Sequence, residues 1–198
     1  MRNTTLTAAL AIAAMTSASA SAALVTFTFQ GSASGTVGAQ SFADRAFTVF
    51  ANADDASLVT DASGTQSLAN GSAFIAIDGV GAFMLFSPTR TYLDLSGAVS
   101  FAMPGEGPEL PLLAGSLPAG MQGRPIIESV STVSLSGSRL TPGAWQNPFS
   151  PVLTSGGALR LTALGADGLT FSSFSYVPAP GSIALLGAAT LVGARRRR

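Results

Sequence analysis

The sequence predicts an all-β body, an antiparallel β-sandwich or jelly-roll-like domain, and three observations predict it. From Leu24 onward apolar residues recur with a period of two rather than 3.6. Short apolar runs alternate with turns rich in Gly and Ser, the pattern of many short strands rather than a few long helices. No internal segment offers an amphipathic helix with recognisable caps.

Taken in order, Val25, Phe27 and Phe29 alternate with Thr26, Thr28 and Gln30, a half-buried strand that ends at Gly31. Gly31 to Gln40 is rich in Gly and Ser and reads as a loop or a weak edge strand. The next apolar stretch runs from Phe42 through Phe47, Val49 and Ala51, with Thr48 and Phe50 on the opposite face. Asp78-Gly79 stands between the runs Phe74–Ile77 and Val80–Phe86 and predicts a two-residue hairpin turn, because Gly reaches positive φ at little cost. Further strands are expected at Thr91–Leu95, Ala98–Ala102, Glu128–Leu135, Ala158–Ala163 and Thr170–Val177. Met103 to Pro125 holds five prolines and predicts a long crossing loop. Pro142 to Pro151, which contains Trp145 and Phe149, reads as a second one.

The two ends read differently from this body and give the chain three parts: 1–22, 23–176 and 177–198. Met1 to Ala22 has the layout of a signal peptide, with Arg2, an uncharged apolar stretch from Leu6 to Met15, and then small residues. Ala18-Ser19-Ala20 and Ala20-Ser21-Ala22 both fit a small-x-small cleavage site, so cleavage is expected after Ala20 or Ala22. At the other end Val177-Pro178-Ala179-Pro180 precedes an apolar helix expected over Ile183–Ala194 and the cluster Arg195, Arg196, Arg197 and Arg198. Twelve helical residues reach about 18 Å, against about 30 Å of bilayer core, so this segment is short for a permanent span. The Arg cluster would hold its end in the cytoplasm and leave the body outside.

A Pro-x-Pro turn, a short apolar helix and a terminal Arg cluster, in that order, resemble the sorting signal of the PEP-CTERM class of exported bacterial proteins. Ala179 stands where that class usually has Glu. The resemblance covers about the last 22 residues and implies a set of partners: the export machinery, and an exosortase-like processing enzyme acting while the tail holds the protein transiently in the inner membrane. It also implies a destination in the cell envelope or extracellular matrix, with exopolysaccharide as a neighbour. The segment Phe27 to Ala51 is similar to a recurring N-terminal pattern in proteins of that class, here Phe27, Gly31, Gly35, Phe47-Thr48-Val49 and then Asp54. It brings no known activity.

Composition narrows the chemistry. The chain has no Cys, no His and no Lys, so triads that need His, thiolate nucleophiles, Schiff-base lysines and His- or Cys-ligated zinc are all excluded. Between Ala23 and Val177 five Arg face ten carboxylates, a net charge of about −5, which argues against a nucleic-acid partner. The oxygen donors Asn52, Asp54, Asp55 and Asp61 lie close in sequence and are a candidate Ca²⁺ loop, although the same residues are ordinary turn formers. Trp145 is the first candidate for stacking on a sugar, with Tyr92 and Tyr176 behind it; a lone Trp also serves to plug a core. Glu106, Glu109 or Glu128 with Asp94 or Asp78 would be the carboxylate pair of a glycoside hydrolase. The leading expectation is a non-enzymatic surface or matrix protein. A carbohydrate- or calcium-binding module and a two-carboxylate hydrolase are the alternatives.

Overall fold

The structure is a computed structural model and describes residues 23–104, 110–147 and 150–176. The expected signal peptide and sorting tail, with Val177 to Pro180 and Arg195 to Arg198, lie outside the described residues, as do Glu106, Glu109 and Phe149. Leu24–Tyr176 forms one compact unit, and it is all-β and antiparallel throughout.

Twelve strands are described: β1 (Leu24–Val37), β2 (Gln40–Asp54), β3 (Val59–Thr60), β4 (Gln66–Ile77), β5 (Gly81–Leu85), β6 (Thr89–Leu93), β7 (Ala98–Met103), β8 (Leu110–Ser116), β9 (Val130–Ser134), β10 (Ser136–Leu140), β11 (Val152–Thr154) and β12 (Gly157–Tyr176). They hydrogen-bond in the order β10-β8-β7-β6-β4-β2-β1-β12-β11-β5, and β5 pairs back onto β4. Strands β4, β2, β1, β12, β11 and β5 therefore close a ring. The closure is possible because β4 divides its length, pairing through Gln66–Asn70 with β6 and through Ala73–Ile77 with β5. Strand β3 adds to β4, and β9 adds to β12. Strand β10 comes back towards β12, where the Leu169 amide donates to Ser138 Oγ at 3.0 Å.

The alternation that predicts the strands also builds the core. Val25, Phe27 and Phe29 of β1, Phe47, Val49 and Ala51 of β2, Ile75 of β4, and Leu159, Leu161 and Phe171 of β12 all point inward and are buried. Phe29 meets Phe171 at 5.1 Å between ring centroids and Phe101 of β7 at 6.0 Å. The second contact joins two strands that are not neighbours in the sheet, so the inward faces pack against each other across the interior. Rings of this size dominate core energetics.

Several expectations are corrected. Gly31 to Val37 is neither loop nor edge strand: β1 runs on to Val37, paired with β2 on one side and β12 on the other, and only Gly38-Ala39 forms a turn. Small residues serve here because the neighbouring backbone is close. A Cβ added at Gly31 would stand 2.7 Å from the carbonyl oxygen of Gly168, and one at Gly35 would collide with that of Arg160. The expected strands Ala158–Ala163 and Thr170–Val177 are two parts of one strand, β12, whose pairing with β1 is irregular near Gly31 to Gly35. The Asp78-Gly79 hairpin is present, with Gly79 at φ 69°, but Ile77 pairs with Gly81, so the loop has three residues, not two.

Met103 to Pro125 is not a loop throughout, since β8 lies within it. Pro111 is accommodated where the β7–β8 register shifts: Phe101 faces Leu113 but Ala102 faces Pro111, leaving Leu112 as the extra residue of a bulge. Pro142 to Pro151 contains one helical turn, α1 (Pro142–Trp145), packed against β8 and β12. Among the described residues no helix is long and apolar enough to cross a membrane.

Candidate functional site

Trp145 is not a platform. It is 1% exposed and its indole N–H donates to the carbonyl of Leu112 at 2.8 Å. The β7–β8 bulge takes that carbonyl out of register, and the indole supplies it with a partner. This is the core-plug role of a lone Trp, so no face of the ring is offered to a sugar. Tyr176 is exposed at the end of β12, beside Leu24 in register and near exposed Phe174.

Three of the four candidate Ca²⁺ donors are used one by one, and the fourth, Asp55, lies in the 3₁₀ turn that follows Asp54. Asn52 accepts from Thr26 Oγ1 and donates to Ser72 Oγ. Asp54 accepts from the Ala56 amide and starts a short 3₁₀ turn, Asp55–Ser57. Asp61 Oδ1 accepts from Ser63 Oγ, the Ser63 amide and the Thr65 amide, closing the 61–65 turn. The Ser63 hydroxyl first, then the Thr65 amide, hold its carboxyl below the usual aspartate range. Among the described residues no three His, Cys, Asp or Glu side chains come together as a metal site. Of the hydrolase carboxylates, Asp94, Asp78 and Glu128 are among the described residues. Asp94 Oδ1 accepts from Ser96 Oγ and the Ala98 amide, Asp78 sits in its hairpin turn, and Glu128 lies 4.0 Å from Arg124.

What the structure does assemble is a polar recess on the outer face of β4, β6, β7, β8 and β10. Antiparallel register places Ser67, Tyr92, Ser100, Ala114 and Arg139 side by side in one row across the five strands. The rows on either side bring Arg90 beside Ala102 and Pro111, and Asp94 beside Ala98 and Ser116. Because the middle of the floor is Ala and Ser while Tyr and Arg stand at its margins, the surface is hollow there. The recess has a volume of about 340 Å³. A second hollow of about 230 Å³ lies on the far side of Tyr92, lined by Asp61, Ser67 and Arg90 among others, and the two share Thr65 and Tyr92.

The polar groups of this face are unevenly used. Arg90 donates to Ser67 Oγ at 3.0 Å. Arg139 makes no ion pair or side-chain hydrogen bond among the described residues. The Tyr92 hydroxyl is buried and has no hydrogen-bond partner among the described residues. Sequence reasoning named Tyr92 and Asp94 but did not group them, and it passed over Arg90, Arg139 and the small floor. Only strand register brings these together, although the alternation Ala98, Ser100, Ala102 opposite Val99 and Phe101 marked which face was outward.

Compared with known proteins, the chain matches no family model, no curated protein and no solved structure.

Proposed function

We propose that this is an exported surface or extracellular-matrix protein, sorted through its C-terminal segment, whose body works by contact rather than by chemistry. The observation that carries the reading is the succession of sequence features Val177-Pro178-Ala179-Pro180, Ile183–Ala194 and Arg195–Arg198, with its likeness to the PEP-CTERM signal. The leader-like Met1 to Ala22 supports the same topology from the other end.

In this reading the body is a β-sandwich or jelly-roll-like domain, supported by the Phe29–Phe101 contact across its interior. It meets a second copy of itself or the exopolysaccharide around it. An outward row, Phe50 of β2, Phe74 of β4 and Met84 of β5, gives it apolar surface for such contact. The absence of His, Cys and Lys supports a non-catalytic role by removing most nucleophiles and bases.

Intact mass of the protein from membrane, surface and medium fractions of its host is the test. The expected result is a form lacking the first 20 or 22 residues and the tail from about Val177, found at the surface or in the medium. A membrane-bound form that keeps Arg195–Arg198 would overturn the sorting reading.

A further inference from the structure

We propose that the recess beside Tyr92 binds a neutral saccharide chain, and that the Tyr92 ring is the wall that moves to admit it. The inference deepens the surface-protein reading by naming a ligand class and a place for it, and it rests on that reading only for where the ligand comes from.

The chemistry of the recess fits a polyhydroxylated ring. Its floor, Ala98, Ser100, Ala102 and Ala114, is small and mixed, giving apolar contact to the C–H face of a pyranose without blocking it. A sugar hydroxyl both donates and accepts. The recess offers both complements: the Arg139 guanidinium as donor, and Asp94 as acceptor through Oδ2, the oxygen not engaged by Ser96 and Ala98. Charge is balanced, Arg139 against Asp94 in the larger hollow and Arg90 against Asp61 in the smaller. Balanced lining favours a neutral chain over a polyuronate, whose repeated carboxylates would need surplus cations. A volume of about 340 Å³ is within the range of small-ligand sites.

Tyr92 supplies the second argument. The Tyr92 hydroxyl is buried with no partner among the described residues, and a hydroxyl left so carries a desolvation cost that a ligand oxygen would offset. The ring also stands between two hollows as a shared wall. Turning it would give the hydroxyl a ligand oxygen to bond and merge the hollows into one groove long enough for more than one sugar ring.

The full chain, purified in mild detergent, would be titrated calorimetrically with maltotriose, cellotriose and mannotriose, and with trigalacturonate as the charged probe. The expected result is millimolar or tighter binding of at least one neutral trisaccharide and weaker binding of trigalacturonate. The chain has two tyrosines, so in a Tyr176→Phe background the tyrosine difference spectrum reports Tyr92 alone and should change on binding. Tyr92→Phe should lower affinity about tenfold while the thermal midpoint holds or rises, because the lost hydroxyl bonds to nothing among the described residues. Ser100→Leu, which fills the floor, should abolish binding. No neutral trisaccharide bound, a preference for trigalacturonate, or unchanged affinity in Tyr92→Phe would each overturn the proposal. None of those results would alter the masses that decide the sorting reading.

Discussion

The ribbon formed by β1 and β12 has two halves built on opposite principles. From Leu24 to Gln30 its inward positions are Val25, Phe27 and Phe29, facing Phe171 and the rest of the aromatic core. From Gly31 to Val37 they are Gly31, Ala33, Gly35 and Val37, and the strand is held by nearness of backbone to backbone. One half is stabilised by what its side chains fill, the other by what its side chains leave out. The difference teaches that the same strand answers to opposite substitutions: truncation breaks the first half, enlargement the second.

Phe29→Ala should have the largest effect. It empties a position that is 0% exposed and touches both Phe101 and Phe171, and such truncations cost about 3–5 kcal/mol. Chemical denaturation would measure it, and a loss under about 1 kcal/mol would mean that the aromatic half is not what holds the ribbon. Gly35→Ala, which adds one carbon, should destabilise by about 1–3 kcal/mol, since its Cβ collides with the Arg160 carbonyl. Equal stability of Gly35→Ala and the parent would erase the contrast between the halves.

Smaller effects sharpen the comparison away from the ribbon. Trp145→Phe keeps most of the ring but leaves the buried Leu112 carbonyl without its donor, for a loss of about 1–3 kcal/mol. Retained stability there would show that volume alone, as in the aromatic half, is what Trp145 supplies. Least of all should be the loss of the Asp61 turn in acid. The Asp61 carboxyl is held below the ordinary range by the Ser63 hydroxyl and the Thr65 amide, so the ionised form is the one the fold favours. Its contribution is therefore complete above the unfolded-state value of about 4 and disappears as pH falls through the lowered one. The Thr65 amide resonance should move over that acid range, and a midpoint at or above the ordinary aspartate value would contradict the hydrogen bonds.

The same contrast explains what could be read from sequence. Period two is visible when large apolar residues alternate with polar ones, as at Val25 to Gln30 and Phe47 to Ala51, and those strands stand where the alternation put them. Between Gly31 and Val37 the alternation persists, with Ser32, Ser34 and Thr36 on the other face, but at a contrast so low that composition argues for a loop. Proline misled in the same way at Pro111, which faces Ala102 beside a bulge where Leu112 interrupts the regular ladder. The recess was illegible for a different reason. Its row runs across strands from Ser67 to Arg139, and no single stretch of chain contains it.

Strand β12 ends at Tyr176, opposite Leu24, with β1 running antiparallel beside it for nearly its whole length. A pull applied at Tyr176 along the strand, as on a protein held at one end in flowing medium, would load the hydrogen bonds between β12 and β1 in parallel. Such bonds share a force in shear and fail together. Drawing Leu24 and Tyr176 apart sideways would instead open the same ladder one rung at a time, from Leu24 inward. The ribbon is therefore a directional fastening, strong along its axis and weak across it, and force spectroscopy with the two pulling geometries should give a clearly higher rupture force for the first.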